Sequence, residues 1–344
     1  YAELDEKDKA QQRTVFLDEL VAATDLPIQR DGLDAEAVAQ VAALQLQPTD
    51  LNQLPGLEKA AIAELLKDFR LSVSALYAYL ECPTKFFYEK LLRVPDRERE
   101  VTLYGSALHD ALETYFNRMK RDSANVFPSR EELLFNFEDA LGRRRGLFTP
   151  KAFKTRLAQG RRELGQYYDT YRPTWVTDVE VELAIRNAEV DGIPLTGKID
   201  RIDILNDVFV RVVDYKTSSS GKKSARAKLK APTKAKPEGG NYWRQLTFYK
   251  LLYDNKPGQI RRVKDAAISF LLVNARGEQP EEDLVIRPKD TDALRLILRE
   301  TWDNIQAQKF TGCGKADCEW CRFVGELREE VPLGVEWDEL DDGS

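Results

Sequence analysis

The sequence predicts an α/β chain, with helical stretches on both sides of a run of strands. Two patterns predict it. Up to about residue 172, apolar residues recur at i, i+3, i+4 and i+7, the spacing of a helix with one buried side. From Val176 to Lys216 they alternate with polar residues, the period of a strand with one buried face.

In chain order, residues 1–70 read as a helical connector or the end of an upstream part, with helices at Gln11–Ala23, Ala35–Leu44 and Glu58–Phe69 and loops marked by Pro27, Pro48 and Pro55. Residues 72–92 predict two short aromatic helices, the first capped by Ser72 or Ser74 and the second started by Pro83. Residues 104–120 form an amphipathic helix with Leu108, Ala111, Leu112, Tyr115, Phe116 and Met119 on one side. His109 and Glu113 share the neighbouring stripe. Residues 129–172 are helical and rich in arginine. Val176–Arg186 alternates as a strand, and Asp191-Gly192 signals a turn. Residues 218–240 form a Ser/Gly/Lys/Pro loop, followed by a helix at Tyr242–Asp254. A buried strand at Ala266–Val273, an edge strand at Glu282–Ile286 and a long helix at Thr291–Lys309 complete the order.

At 344 residues with 42% hydrophobic and 32% charged side chains, the composition suits a water-soluble globular chain. No apolar run approaches the ~20 residues needed to cross a bilayer, so no membrane partner is expected. The net charge of −6 is a weak guide, because the charges are segregated. Residues 221–236 are strongly basic, and residues 329–344 form an acidic tail expected to be disordered. The basic run, with Lys222, Lys223, Arg226 and Lys228, is suited to a nucleic-acid backbone, as is Arg244 on the helix after it. The chain begins at a tyrosine without a secretory leader and reads as part of a longer protein. Its four cysteines suggest metal rather than disulfides and a cytoplasmic setting.

Gly197–Lys216 carries the chemistry. It reads as two strands around Asn206-Asp207, with Asp200 on the first and Asp214 and Lys216 on one face of the second. Tyr215 points the other way. Register decides whether a site can form. A loop of even length would put the two aspartates on opposite faces. A three-residue loop, Asn206–Val208, sets Asp200 opposite Asp214, Ile202 opposite Val212, Ile204 opposite Val210 and Asp203 opposite Arg211. This register pairs apolar with apolar and acid with base. Asp200 and Asp214 would then be oxygen ligands for Mg2+ or Mn2+, with the Tyr215 carbonyl as a further one. Lys216 would orient water or stabilise charge on a phosphate.

The ordered set G-x-x-x-H (Gly105 to His109), G-x-I-D-R-I-D (Gly197 to Asp203), V-D-Y-K-T (Val213 to Thr217) and Q-x-x-x-Y (Gln245 to Tyr249) resembles the RecB/AddB-type branch of the PD-(D/E)XK nucleases over about residues 71–325, within a domain expected to span 71–328. The resemblance implies a central mixed β-sheet flanked by helices, with a helical N-terminal extension, and metal-dependent cleavage of DNA. It implies His109, Asp200 and Asp214 as metal ligands, Lys216 as the catalytic lysine, and Gln245 and Tyr249 as support. A further acidic ligand on the preceding strand is implied, and Glu180 and Glu182 both qualify. Cys82 with the late Cys313, Cys318 and Cys321 resembles the iron–sulfur staple of AddB-type nucleases, so a [4Fe–4S] cluster is implied, with Zn2+ the alternative. The late spacing, C-x4-C-x2-C, departs from the C-x2-C-x5-C associated with that group.

The segment LSVSALYAYLECPTKFFYEKLLRVP resembles the join between a UvrD-type helicase and an appended nuclease. The chain has no G-x-x-x-x-G-K-[ST] phosphate loop, so a helicase would lie upstream or on a partner. The reading is a Mg2+-dependent deoxyribonuclease, an exonuclease on single-stranded DNA, serving repair or recombination. The alternative is a nuclease-like module that binds DNA without cutting and carries a structural metal cluster.

Overall fold

Asp200 and Asp214 meet because a five-stranded sheet holds them side by side. A computed structural model describes residues 59–95 and 99–330, with side chains as far as residue 326. The helices expected at Gln11–Ala23 and Ala35–Leu44 lie outside the described residues, as does nearly all of the acidic tail. The described residues up to Glu326 belong to one compact unit.

The helices before the sheet are α1 (Lys59–Lys67), α2 (Val73–Glu81), α3 (Pro83–Phe86), α4 (Glu100–Arg121), α5 (Arg130–Gly142) and α6 (Pro150–Tyr171). Strands β1 (Val179–Val190), β2 (Ile193–Ile204) and β3 (Phe209–Lys216) follow. Then come α7 (Lys222–Lys228), α8 (Asn241–Asp254), β4 (Arg262–Phe270), β5 (Glu281–Val285), α9 (Pro288–Gln306) and α10 (Glu319–Glu330). Capping follows the sequence. The Ser72 hydroxyl accepts from the Ala75 N–H to start α2, and Pro83 opens α3, which runs on as a π-helical turn at Phe87–Leu91.

The sheet order is β1-β2-β3-β4-β5. The first three strands form an antiparallel meander, β3 and β4 run parallel, and β5 is an antiparallel edge. The parallel pair needs a crossover, which α7 and α8 supply. The sheet is therefore mixed, with helices on both faces. Val210 and Val212 of β3 enter a core built with α2, α3, α8 and α9. Val213 and Tyr215 enter a second core under α4, α5 and α6. The expected register is present: Arg201↔Val213, Ile202↔Val212, Asp203↔Arg211 and Ile204↔Val210. The Leu205 N–H reaches the Phe209 carbonyl at 3.0 Å, and the Asn206 side chain accepts from the N–H groups of Val208 and Phe209, closing the three-residue loop.

Two details differ from the sequence reading. Residues 218–240 are not all loop. Residues 222–228 form α7, because Ala225 is buried and Arg226 pairs with Glu282 of β5. Asp203 and Arg211 are register partners, but their side chains pair elsewhere. Asp203 binds Arg201 at 2.8 Å, while Arg211 bridges Asp265, Glu281 and Asp283. Among the described residues, no helix is long and apolar enough to cross a membrane.

Candidate active site

The regular ladder between β2 and β3 stops at Arg201↔Val213. One step further, where Asp200 faces Asp214, the Asp200 carboxylate itself accepts the Tyr215 N–H at 2.8 Å. The side chain replaces a ladder bond and pins its own orientation. On the other side of β2 the β1 ladder runs Val181↔Arg201 and then Leu183↔Ile199, which puts Glu182 opposite Asp200. Glu182 is left-handed, with φ +50°, in the middle of a strand. A non-glycine residue held there is strained, and such strain clusters at functional sites.

The two glutamates part company at this kink. Glu182 turns its carboxylate to His109 of α4, with Oε1 3.7 Å from Nδ1, while Asp200 Oδ1 lies 3.6 Å from the same nitrogen. Ligand atoms of His109, Glu182 and Asp200 all lie within 4.8 Å of one another. The Lys198 ammonium pairs with the second Glu182 oxygen. Glu180 instead lies where its charge acts on Tyr253, away from this group. Glu113, one turn beyond His109, feels the charges of Glu182 and Lys198 and borders the site.

Asp214 and Lys216 stand beside this group and are tied together by Gln245 of α8. Gln245 Nε2 donates to Asp214 Oδ1 at 2.7 Å and to the Tyr249 hydroxyl at 3.1 Å, while its Oε1 accepts from Lys216 Nζ at 2.6 Å. Lys216 Nζ also lies 2.7 Å from Asp214 Oδ2. One amide thus fixes both a carboxylate and an ammonium, and Tyr249 uses the remaining amide proton. Behind the sheet, Tyr215 accepts a hydrogen bond from the buried Arg201 at 2.9 Å, and Asp203 holds that guanidinium. The same tyrosine packs edge-on against the His109 ring. Arg201 and Asp203 were visible as motif letters, but only the folded chain assigns them this support.

The motif glycines have a physical cause. A Cβ on Gly105 would lie 2.8 Å from the Thr217 hydroxyl, and one on Gly197 would lie 2.8 Å from Leu252. Without side chains there, α4 can close on the end of β3 and α8 on the middle of β2.

The electrostatics of the spot are set by crowded carboxylates. Burial, then the charge of Asp214, pushes Asp200 up to about 7, against the pull of His109 and the Tyr215 N–H. Burial works to lower the His109 pKa, but contact with Glu182 and the charges of Asp200, Glu182 and Asp214 outweigh it and hold it above its ordinary value. Burial would raise Glu182, yet His109 and Lys198 keep it below the usual carboxylate range. Three carboxylates crowded around one imidazole suit a hard divalent cation with mostly oxygen ligands.

The four cysteines also come together. Cys82, at the start of α3, is buried, and Cys313, Cys318 and Cys321 close over it from the other end of the chain. The Tyr79 and Thr84 hydroxyls donate to the carbonyls of Lys309 and Phe310, and Tyr88 stacks on Trp320 at 5.0 Å.

Comparison with known proteins agrees with this geometry. The family model described as the PD-(D/E)XK nuclease superfamily matches residues 70–325. The chain belongs to the PD-(D/E)XK nuclease superfamily. A stretch of 189 residues, 46% of the chain, is 28% identical to an ATP-dependent helicase/deoxyribonuclease subunit of Carboxydothermus hydrogenoformans. The match spans 17% of that relative's length. A provisionally named exonuclease of Eubacterium rectale superposes with a TM-score of 0.46 at 15% identity, covering 78% of this chain and 93% of that one.

On this fold, the basic residues expected to face DNA divide. Lys222 and Lys223 are exposed on α7. Arg226 is committed to Glu282, and Lys228 lies over the Tyr242 ring. Arg244 does not face solvent: it is 5% exposed and donates to the carbonyls of Glu238 and Gly239, over the Tyr77 ring. The reason is that α8 is packed on nearly every side, so its arginine holds the loop before it.

Proposed function

We propose that this chain is the metal-dependent nuclease module of a helicase–nuclease and that it hydrolyses single-stranded DNA. One observation carries the reading: His109, Glu182 and Asp200 converge on one point, beside an Asp214–Lys216 pair locked by Gln245. His109, Glu182, Asp200 and Asp214, with the Tyr215 carbonyl, would hold Mg2+ or Mn2+. When bound, such a cation supplies positive charge to the phosphoryl oxygens and lowers the pKa of a water.

The protein's own groups do the rest. Lys216 keeps its ammonium at the site through Asp214 and Gln245, where it orients the attacking water and offsets charge growing on the phosphate. Water oxygen bonds to phosphorus and releases a proton to solvent as the bond to the leaving nucleotide breaks, and the leaving oxygen takes a proton from solvent. Arg201, Asp203 and Tyr215 keep Asp200 and His109 in place. Lys222 and Lys223 supply charge for the DNA backbone. The Carboxydothermus relative, a helicase/deoxyribonuclease subunit, supports DNA as substrate and a helicase as partner. So does the join-like segment at residues 71–95. Repair or recombination would be the setting.

The test is cleavage of end-labelled single-stranded DNA with Mg2+, Mn2+ or EDTA. The wild type should cut only with metal, and Lys216→Ala and Asp214→Ala should each lose at least about 100-fold in rate. A circular single strand separates exonuclease from internal cutting. Binding without cleavage by the wild type would favour the non-cutting module. Full activity in both variants would displace the site.

A further inference from the structure

The four cysteine sulfurs sit closer together than a four-iron cube allows. All four Sγ atoms lie within 4.8 Å of one another. Cys82 and Cys321 are 3.6 Å apart, and Cys313 and Cys321 are 3.7 Å apart. Geometry separates the metal groups such a set could hold. Thiolates at about 2.3 Å around one tetrahedral ion stand about 3.8 Å from each other. In a [4Fe–4S] cube each thiolate caps a corner iron, with four irons and four sulfides between them, which spreads the sulfurs to roughly 6 Å. The observed spacing fits the first arrangement and not the second.

The residues flanking the cysteines are anchored. Cys82 is wholly buried, fixed between α2 and α3. The opposite wall is fixed by the Thr84–Phe310 and Tyr79–Lys309 hydrogen bonds and by the Tyr88–Trp320 stack. The sequence points the same way, since C-x4-C-x2-C is not the late spacing of the iron–sulfur nucleases that the chain resembles. With four protein thiolates the coordination is closed, leaving no position for water or substrate, as in structural zinc sites. A single iron would fit the same tetrahedron, but divalent zinc binds more tightly than ferrous iron in the general order of stabilities.

We propose that Cys82, Cys313, Cys318 and Cys321 hold a single structural Zn2+ rather than an iron–sulfur cluster. The ion itself is then redox-inert, and the staple takes no part in electron transfer. This inference does not depend on the nuclease reading, because its measurements are metal content and spectrum.

The full chain is expressed in medium supplied with both iron and zinc, purified without oxygen, and analysed for zinc, iron and acid-labile sulfide. The expected result is a colourless protein with one zinc per chain and neither iron nor sulfide in stoichiometric amount. Exchange with Co2+ should give the intense visible bands of a tetrahedral cobalt–thiolate site. Cys318→Ser should reduce the bound zinc several-fold, and the cobalt spectrum of the wild type serves if that variant does not fold. A brown protein with iron and sulfide overturns the proposal. So does iron without sulfide, or a chain that binds no metal.

Discussion

At Asp200 three effects compete: burial, the neighbouring charges of Asp214 and Glu182, and the stabilising His109 and Tyr215 N–H. The first two win, raising the carboxyl from near 3.8 to about 7. The folded protein without a cation therefore binds this proton more tightly than the unfolded chain does. The resulting stabilisation is fully present below about pH 4 and is lost as pH rises through about 7. In cation-free buffer, Asp200→Asn should gain stability over the wild type across that window, by up to a few kcal/mol. Melting temperatures of the two proteins at several pH values check this, and a difference independent of pH would contradict it. Saturating Mg2+ should favour the wild type instead. At Arg201 the issue is charge burial. Its side chain is 4% exposed and neutralises Asp203. Arg201→Met should cost about 3–5 kcal/mol in urea unfolding, because a buried carboxylate is left unpaired. Adding Asp203→Leu should recover most of the loss.

Among the elements, β1, β2, β3, α4 and α8 build the site. The β2–β3 register was legible in the sequence, because the side-chain period of two allows only one pairing that buries the apolar residues together. The left-handed turn at Glu182 was not legible. Glu180 and Glu182 have the same parity, and nothing local to either residue signals the kink. Helix α4 meets the end of β3 at Gly105, against Thr217. Gly105→Ala gains helix propensity but forces a Cβ into the Thr217 hydroxyl, and the overlap should win, with a net loss of about 1–3 kcal/mol. Pairing it with Thr217→Ala, which removes that hydroxyl, in thermal or urea unfolding isolates the cause. No recovery in the pair would point to another contact.

Across the molecule, one sheet separates two cores, and the cysteine group joins segments far apart in sequence, with Cys82 and Cys321 239 positions apart. Closing so long a loop should stabilise the folded chain. Cys82→Ser should lower the melting temperature by roughly 10 °C, corresponding to several kcal/mol, and strong chelators should approach the same value. A melting temperature unchanged by both would show that side-chain packing alone holds the ends.

The sequence by itself determined the order of helices and strands, the aspartate–aspartate register, the Asp214–Lys216 face and the four cysteines as a group. Each of these is written in nearest-neighbour periodicity or in rare residue types. Only the tertiary structure decided that Glu182 rather than Glu180 meets His109. It also buried Arg244, made Gln245 the bridge between carboxylate and lysine, and drew four sulfurs into a space the size of one ion. Those outcomes depend on how distant elements pack, where a left-handed kink or a fully enclosed helix changes which way a side chain points without altering the local pattern.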